Sequence, residues 1–191
     1  SISESIKEKA NSNKGLYRIT DNFFRFWYAF VFTNMSELEG GDVDGVYKYS
    51  VEPLLHEFAA MPFEDICREY VRELQKACKL PFRYAKMGRW WGRTTVRRGQ
   101  DTELADTEID LLAISKQSDQ YLVGECKFKG KPFRYSEYLD TTAKLSNYKD
   151  KAEFYYYLFS ESGFDVKIVE ESGRSNGRIV LCGLDDIVNF K

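Results

Sequence analysis

The chain has 191 residues, with 28 Lys and Arg against 30 Asp and Glu, a formal charge of −2, and 43% apolar and 16% aromatic content. This is a globular composition, long enough for one sizeable core with an appended subdomain but too short for two full domains, and its charge makes no global case for a nucleic-acid partner. No apolar run approaches the roughly 18 residues of a membrane span, and Ser1 to Ala10 does not read as a signal peptide, so a cytoplasmic protein away from membranes is expected.

In chain order, a polar start ends at Gly15, and Leu16 to Ile19 reads as a short strand. Asp21 can cap a helix whose Phe23, Phe24, Trp27, Phe30 and Val31 form an aromatic stripe at helical spacing, which needs a cover. Asn34 to Gly45, acidic and glycine-containing, is expected as a loop or linker. A second helical pattern begins near Val51 and runs towards Ala60, after which Pro62 suits the first turn of a new helix over Phe63 to about Lys79. Its buried stripe would be Phe63, Ile66, Cys67, Tyr70, Val71 and Leu74, with Glu64 on the flank, able to reach into a cleft at the helix edge.

After Pro81 the pattern turns strand-like: Tyr84 to Gly92, Glu103 to Ile114 and Tyr121 to Phe128. A helix is expected from Ser136 to Lys151, then a fully buried strand from Ala152 to Ser160, a segment from Asp165 to Glu170, a strand from Arg178 to Cys182 and a short helix from Leu184 to Phe190. This order predicts an α/β fold, a mixed sheet with helices on its faces. Residues 1–50 read as a helical attachment or linker from an upstream region, and 51–191 as the main domain.

Cys67, Cys78, Cys126 and Cys182 are scattered without a paired CxxC spacing, so reduced, buried thiols are expected rather than a zinc knuckle or disulfide framework. The single histidine, His56, is expected at the surface or locally hydrogen-bonded, and Cys126 lacks a nearby histidine for thiol chemistry.

The chemistry concentrates in two strands. Glu108 and Asp110 share one face, with Ile109 and Leu111 expected opposite, while Glu125 and Lys127 share a face and Cys126 points away. If these strands pair, Asp110 and Glu125 meet at one end of the sheet. Two carboxylates there supply oxygen ligands for Mg²⁺ or Mn²⁺, and Lys127 can orient a water and stabilise negative charge developing on a phosphate. Glu64 can add a ligand or hold a metal-bound water, or simply pair with Arg68 four residues on; Glu108 reads as a supporting residue at the rim. From Arg83 to Gln100 there are six basic residues and no acidic one, so Arg89, Arg93, Arg97 and Arg98 are candidates for contact with DNA phosphates, and Trp90 or Trp91 for stacking on bases.

These pieces resemble a known family. Phe63-Glu64 with Cys67-Arg68-Glu69, Gly88-Arg89-Trp90-Trp91, Glu108-Ile109-Asp110 with Ala113, Gly124-Glu125-Cys126-Lys127 and Leu158 to Phe164 look like the C-terminal domain, once called domain of unknown function 234, of archaeal and bacterial DEXX-box ATPases. Tyr17-Arg18-Ile19, Asp21-Asn22-Phe23 and Arg25-Phe26-Trp27 resemble the segment by which that domain leaves a winged-helix region, so the likeness covers most of Leu16 to Phe190. That family is similar to the restriction-endonuclease-like, PD-(D/E)xK nucleases.

The resemblance implies a restriction-endonuclease-like sheet in which Asp110 is the strand aspartate, Glu125 and Lys127 the acid-x-Lys pair and Glu64 the helix glutamate. Ile109 replaces the motif's proline, which has no chemical role. It further implies a Mg²⁺- or Mn²⁺-dependent deoxyribonuclease, the C-terminal part of a larger protein with an upstream winged-helix and P-loop ATPase module; the aromatic face at Phe23, Trp27 and Phe30 suits an interface within one chain or in a homo-oligomer. No GxxxxGK[ST] stretch is present, so no ATP site is expected in this chain. The alternative is a catalytically silent module that binds nucleic acid or protein and regulates that ATPase.

Overall fold

The computed structural model describes residues 2–3, 16–17, 19, 21–98, 101–145 and 152–190, with the side chains of 2–3, 16–17, 94–98 and 101–105 outside the description. Strands β1 (Ile2–Ser3) and β2 (Leu16–Tyr17) pair antiparallel. Asp21 caps α1 (Asn22–Phe26) as its position suggests, its Oδ1 accepting from the Phe23 and Phe24 N–H groups at 2.8 and 3.1 Å. The aromatic stripe is less covered than expected: Phe30 is buried, but Phe23 and Phe24 are 66% and 52% exposed.

The expected loop over Asn34 to Gly45 is instead largely helical. A π-helical turn (Trp27–Val31) and a 3₁₀ turn (Phe32–Asn34) lead into α2 (Met35–Glu39), and α3 (Val43–Val46) follows after Gly41, whose φ of 88° suits glycine. Asp42 supplies the missing start signal, its carboxylate accepting from Gly45 N–H at 3.0 Å. Phe30, Val46 and Val51 form a small core here, with Phe26, Leu38 and Phe58 packed on it.

Pro62 does not start a new helix. It lies inside α4 (Glu52–Lys76), which follows a π-helical turn (Tyr47–Val51) and continues unbroken for 25 residues. An interior proline costs about 3 kcal/mol, and the helix is pinned on both sides of it. Phe58 packs edge-on against Phe26 and Phe30, while Phe63 is buried against the sheet and Phe128. The buried stripe is Phe63, Cys67, Val71 and Leu74; Ile66, expected in it, is 51% exposed.

The main sheet has the order β3 (Tyr84–Arg98), β4 (Asp101–Ser115), β5 (Gln120–Lys127), β6 (Glu153–Ser160) and β7 (Ile179–Cys182). The first three strands are antiparallel neighbours and the last three parallel, the mixed sheet that the element order predicts. The parallel crossovers carry α5 (Tyr135–Ala143) and α6 (Val166–Arg174), and α7 (Leu184–Val188) follows β7. Of the helix expected to Lys151, residues 146–151 lie outside the described residues. One face of the sheet packs Ile109, Leu112, Val123 and Leu158 against Phe133, Leu145 and Ile168; the other packs Leu111, Ala113, Leu122 and Phe159 against α4.

Ile109 and Leu111 therefore fall on opposite faces, contrary to simple alternation. The register jumps from Trp90↔Ile109 to Gly88↔Leu112, so Asp110 and Leu111 together oppose Arg89 alone. This β-bulge inserts one extra residue and re-aims the side chain at position 110.

Candidate functional site

The antiparallel β4–β5 ladder ends at Leu111↔Gly124, and the next residues along each strand are Asp110 and Glu125. The closeness of that last pair requires glycine, because a Cβ added at Gly124 would sit 2.8 Å from Leu111 Cβ. Beyond it, the Asp110 carboxylate stands in for a ladder carbonyl, its Oδ2 accepting from Cys126 N–H at 2.8 Å. The bulge is held from α4: Arg68, buried, donates from Nη1 to the Asp110 carbonyl at 2.8 Å and from Nη2 to Asp65 Oδ1 at 2.5 Å.

Glu125 is 5% exposed and carries an ammonium group on each oxygen, Lys127 Nζ at 2.6 Å from Oε1 and Lys144 Nζ at 3.0 Å from Oε2. Burial pushes its pKa up, but Lys144 and Lys127 outweigh burial and leave it below the ordinary value. Asp110 is treated in the opposite way. Burial and the neighbouring Glu125 charge raise its pKa to about 6, against the stabilising Cys126 N–H. Burial also works against the charged form of Lys127, yet Glu125 and then Asp110 hold its pKa above the ordinary value, so it is a protonated donor rather than a base.

Glu64 points towards the same region from α4. Its Oε2 is buried without a hydrogen-bond partner, 3.6 Å from Arg68 Nη1 and 3.9 Å from Arg89 Nη1. Burial raises its pKa despite those two arginines, and its charge contributes to the raised pKa of Asp110. Arg89 also forms an ion pair with Glu108 through Nε. Both readings of Glu64 thus meet at one place: it faces Arg68, and it lies beside Asp110.

Arg93 pairs with Asp106 at 3.1 Å near the surface, and the side chains of Arg97 and Arg98 lie outside the described residues. Trp90 is buried in the core, whereas Trp91 lines an open groove. His56 is exposed, hydrogen-bonded to Glu161 at 2.9 Å and stacked on Phe128 with ring centres 4.9 Å apart. Cys126 turns to the opposite face beside Cys67, and burial holds its thiol well above the ordinary pKa, which removes the thiolate that nucleophilic chemistry needs.

Sequence reasoning missed Lys144, and it saw Arg68 only as a partner for Glu64, not as the residue that holds the Asp110 carbonyl. Lys144 follows α5 directly, 19 residues beyond Glu125, and only the folded crossover brings it there. Arg68 offered a fainter signal, a cation one turn after Glu64 on a helix face that otherwise packs apolar residues.

Among the described residues, no group of three or more His, Cys, Asp and Glu side chains is placed to hold a metal ion, and no helix is long and apolar enough to cross a membrane. Asp110 and Glu125 are nonetheless a two-carboxylate oxygen set. Mg²⁺ typically takes one or two carboxylates and completes its shell with water and phosphate oxygens. The raised pKa of Asp110 and the unbonded Glu64 oxygen both mark a place where added positive charge is favourable, so these residues fit a hard divalent cation.

Fold and site together define an α/β domain with a carboxylate-and-lysine cluster at the mouth of a mixed sheet. The chain belongs to the DUF234 family, described as "Archaea bacterial proteins of unknown function", whose profile matches residues 27–141. It is 35% identical over 128 residues to the uncharacterized protein MJECL04 of Methanocaldococcus jannaschii, an alignment that takes in 67% of this chain and 25% of the relative. The chain thus spans about a quarter of that relative's length. Among solved structures it is similar to the protein of unknown function AF1548, at 18% identity and a TM-score of 0.34 over 50% of each chain.

Proposed function

We propose that this chain is a restriction-endonuclease-like, PD-(D/E)xK domain that hydrolyses phosphodiester bonds in DNA with Mg²⁺ or Mn²⁺. The observation that carries the reading is the placement of Asp110 beside Glu125 with Lys127 on the Glu125 carboxylate. Asp110 and Glu125 would hold the ion, with Glu64 at its edge. When bound, the ion would polarise the scissile phosphate and lower the pKa of a coordinated water.

The chain's own residues have separate tasks in this scheme. Lys127, protonated and one-third exposed, donates a hydrogen bond towards the negative charge that grows on the phosphate. Lys144 keeps Glu125 ionised and oriented, Arg68 fixes the bulge that aims Asp110, and Gly124 allows the strands to approach closely enough to bring the two carboxylates together. All four cysteines are free, as a reducing cytoplasm would keep them. An upstream winged-helix and P-loop ATPase module belongs to the same proposal, in keeping with the greater length of the curated relative.

One observation favours the second reading, a catalytically silent regulatory module: both Glu125 oxygens are already neutralised by lysines, so the cluster is stable as a purely structural knot. Cleavage of labelled single- and double-stranded DNA in Mg²⁺ or Mn²⁺, by the unchanged chain and by Lys127→Ala, separates the two. The nuclease reading predicts turnover that the substitution lowers by about 100-fold or more. Equal activity in both proteins defeats the role given to Lys127, and absence of turnover with either metal favours the silent module.

A further inference from the structure

An open groove of about 610 Å³ lies on the β3–β4 pair next to the carboxylate cluster, lined by Trp91, Arg93, Asp106 and Glu108 among others. Its volume suits a small planar ligand rather than a helix or a protein surface. It is continuous with the candidate site through chain and contacts alike. Glu108 stands two residues from Asp110, and the Arg89 that pairs with Glu108 also approaches Glu64.

The charges at the groove are arranged in cross-strand pairs. Arg93 and Asp106, both in the lining, face each other, and Glu108 in the lining is joined to Arg89 beside it, so each guanidinium already faces a carboxylate. A phosphate entering there would meet the two carboxylates as well as the arginines, which makes this a poor phosphate site. A neutral, flat heterocycle carrying both hydrogen-bond donors and acceptors fits it better: a carboxylate accepts from ring or amino N–H, a guanidinium donates to ring nitrogen or carbonyl, and the indole of Trp91 offers a stacking face.

We infer that this groove takes an unpaired nucleobase stacked on Trp91, so that the substrate presented to Asp110 and Glu125 is single-stranded DNA or a duplex with an extruded base. The inference rests on the proposed DNA substrate, but it assigns a different job to the basic β3 segment: Arg93 steadies a base and Arg89 holds Glu108 in place, rather than binding backbone phosphate. A base held within a Watson–Crick duplex has its faces covered by its neighbours and cannot stack on an indole without leaving the helix.

The test is equilibrium binding by fluorescence anisotropy, in EDTA so that turnover plays no part. The probes are a labelled single-stranded pentanucleotide, an abasic pentamer with the same phosphates, and a duplex. The unchanged chain is expected to bind the base-bearing single strand about 10-fold or more tightly than the abasic pentamer, and more tightly than the duplex. Trp91→Ala is expected to remove that preference while Trp91→Phe largely keeps it. Equal affinity for base-bearing and abasic strands, measured on the unchanged chain and so independent of any folding defect, overturns the inference, as does absence of binding to either. The nuclease reading fails separately, through lack of metal-dependent cleavage; Trp91→Ala that cleaves single strands as well as the unchanged chain would sink the base slot and leave the nuclease standing.

Discussion

Asp110 and Glu125 stand side by side where β4 and β5 part, yet the molecule surrounds them with opposite environments. On the β5–α5 side, two lysines neutralise Glu125 and hold its pKa below the ordinary value. On the β4–α4 side, Asp110 has a backbone N–H on one oxygen and Glu64 nearby, and the two arginines of that side are shared among Asp65, Glu64, Glu108 and the Asp110 carbonyl. The difference teaches how the cluster can be stable without added cations and still suit the cation that the proposed function places there. Glu125 anchors the cluster, while Asp110 is the carboxylate whose ionisation is incompletely compensated.

The largest way to break this contrast is to remove Lys127, which touches Glu125 and also faces Asp110 electrostatically. Lys127→Ala should lower DNA cleavage by about 100-fold or more, read as turnover at saturating Mg²⁺. Next is Lys144, whose loss leaves one buried Glu125 oxygen without its donor. Lys144→Ala should cost about 1–3 kcal/mol of stability in denaturant titration at neutral pH, and Lys144→Arg should recover part of it. An unchanged stability would mean that Lys144 does not hold Glu125 in solution.

A third prediction concerns pH. The proposed metal binding requires Asp110 to be ionised, and its pKa is raised to about 6 by burial and then by Glu125. Mn²⁺ affinity should therefore be level above about pH 7 and fall by about 10-fold per pH unit below 6. The smallest expected effect is on the fold itself. With the folded-state pKa of Asp110 above its ordinary value of 3.8, the folded chain retains a proton that the unfolded chain releases, so this group's contribution to stability falls as pH rises from about 4 to about 6 and is level above. Asp110→Asn escapes that loss and should be more stable than the unchanged chain at pH 8 by on the order of 1–3 kcal/mol. The gain should vanish near pH 4.

The parts of this arrangement that follow local rules were legible in the sequence. Strand alternation put Glu125 and Lys127 on one face with Cys126 opposite, and the buried run Phe154 to Ser160 announced a central strand. The bulge at Asp110 and Leu111 was not, because alternation assumes one residue per partner and the insertion is decided by pairing with β3. Pro62 misled for a similar reason: local chemistry favours a helix start there, but the aromatic packing of Phe58 and Phe63 on either side keeps α4 continuous. Lys144 carries no motif at all, and Arg68 was legible only as a partner for Glu64; their parts in the site depend on where α5 and α4 land. Asp42 was visible yet overlooked, a cap residue in what read as an acidic loop.

The central claim is that Asp110 is the incompletely compensated carboxylate of a divalent-cation site, and calorimetric titration of Mn²⁺ at pH 7.5 tests it most directly. The unchanged chain should bind the ion, and Asp110→Asn, while folding at least as stably, should bind it at least about 10-fold more weakly. Equal binding by the two proteins, or no binding by the unchanged chain, would contradict the account.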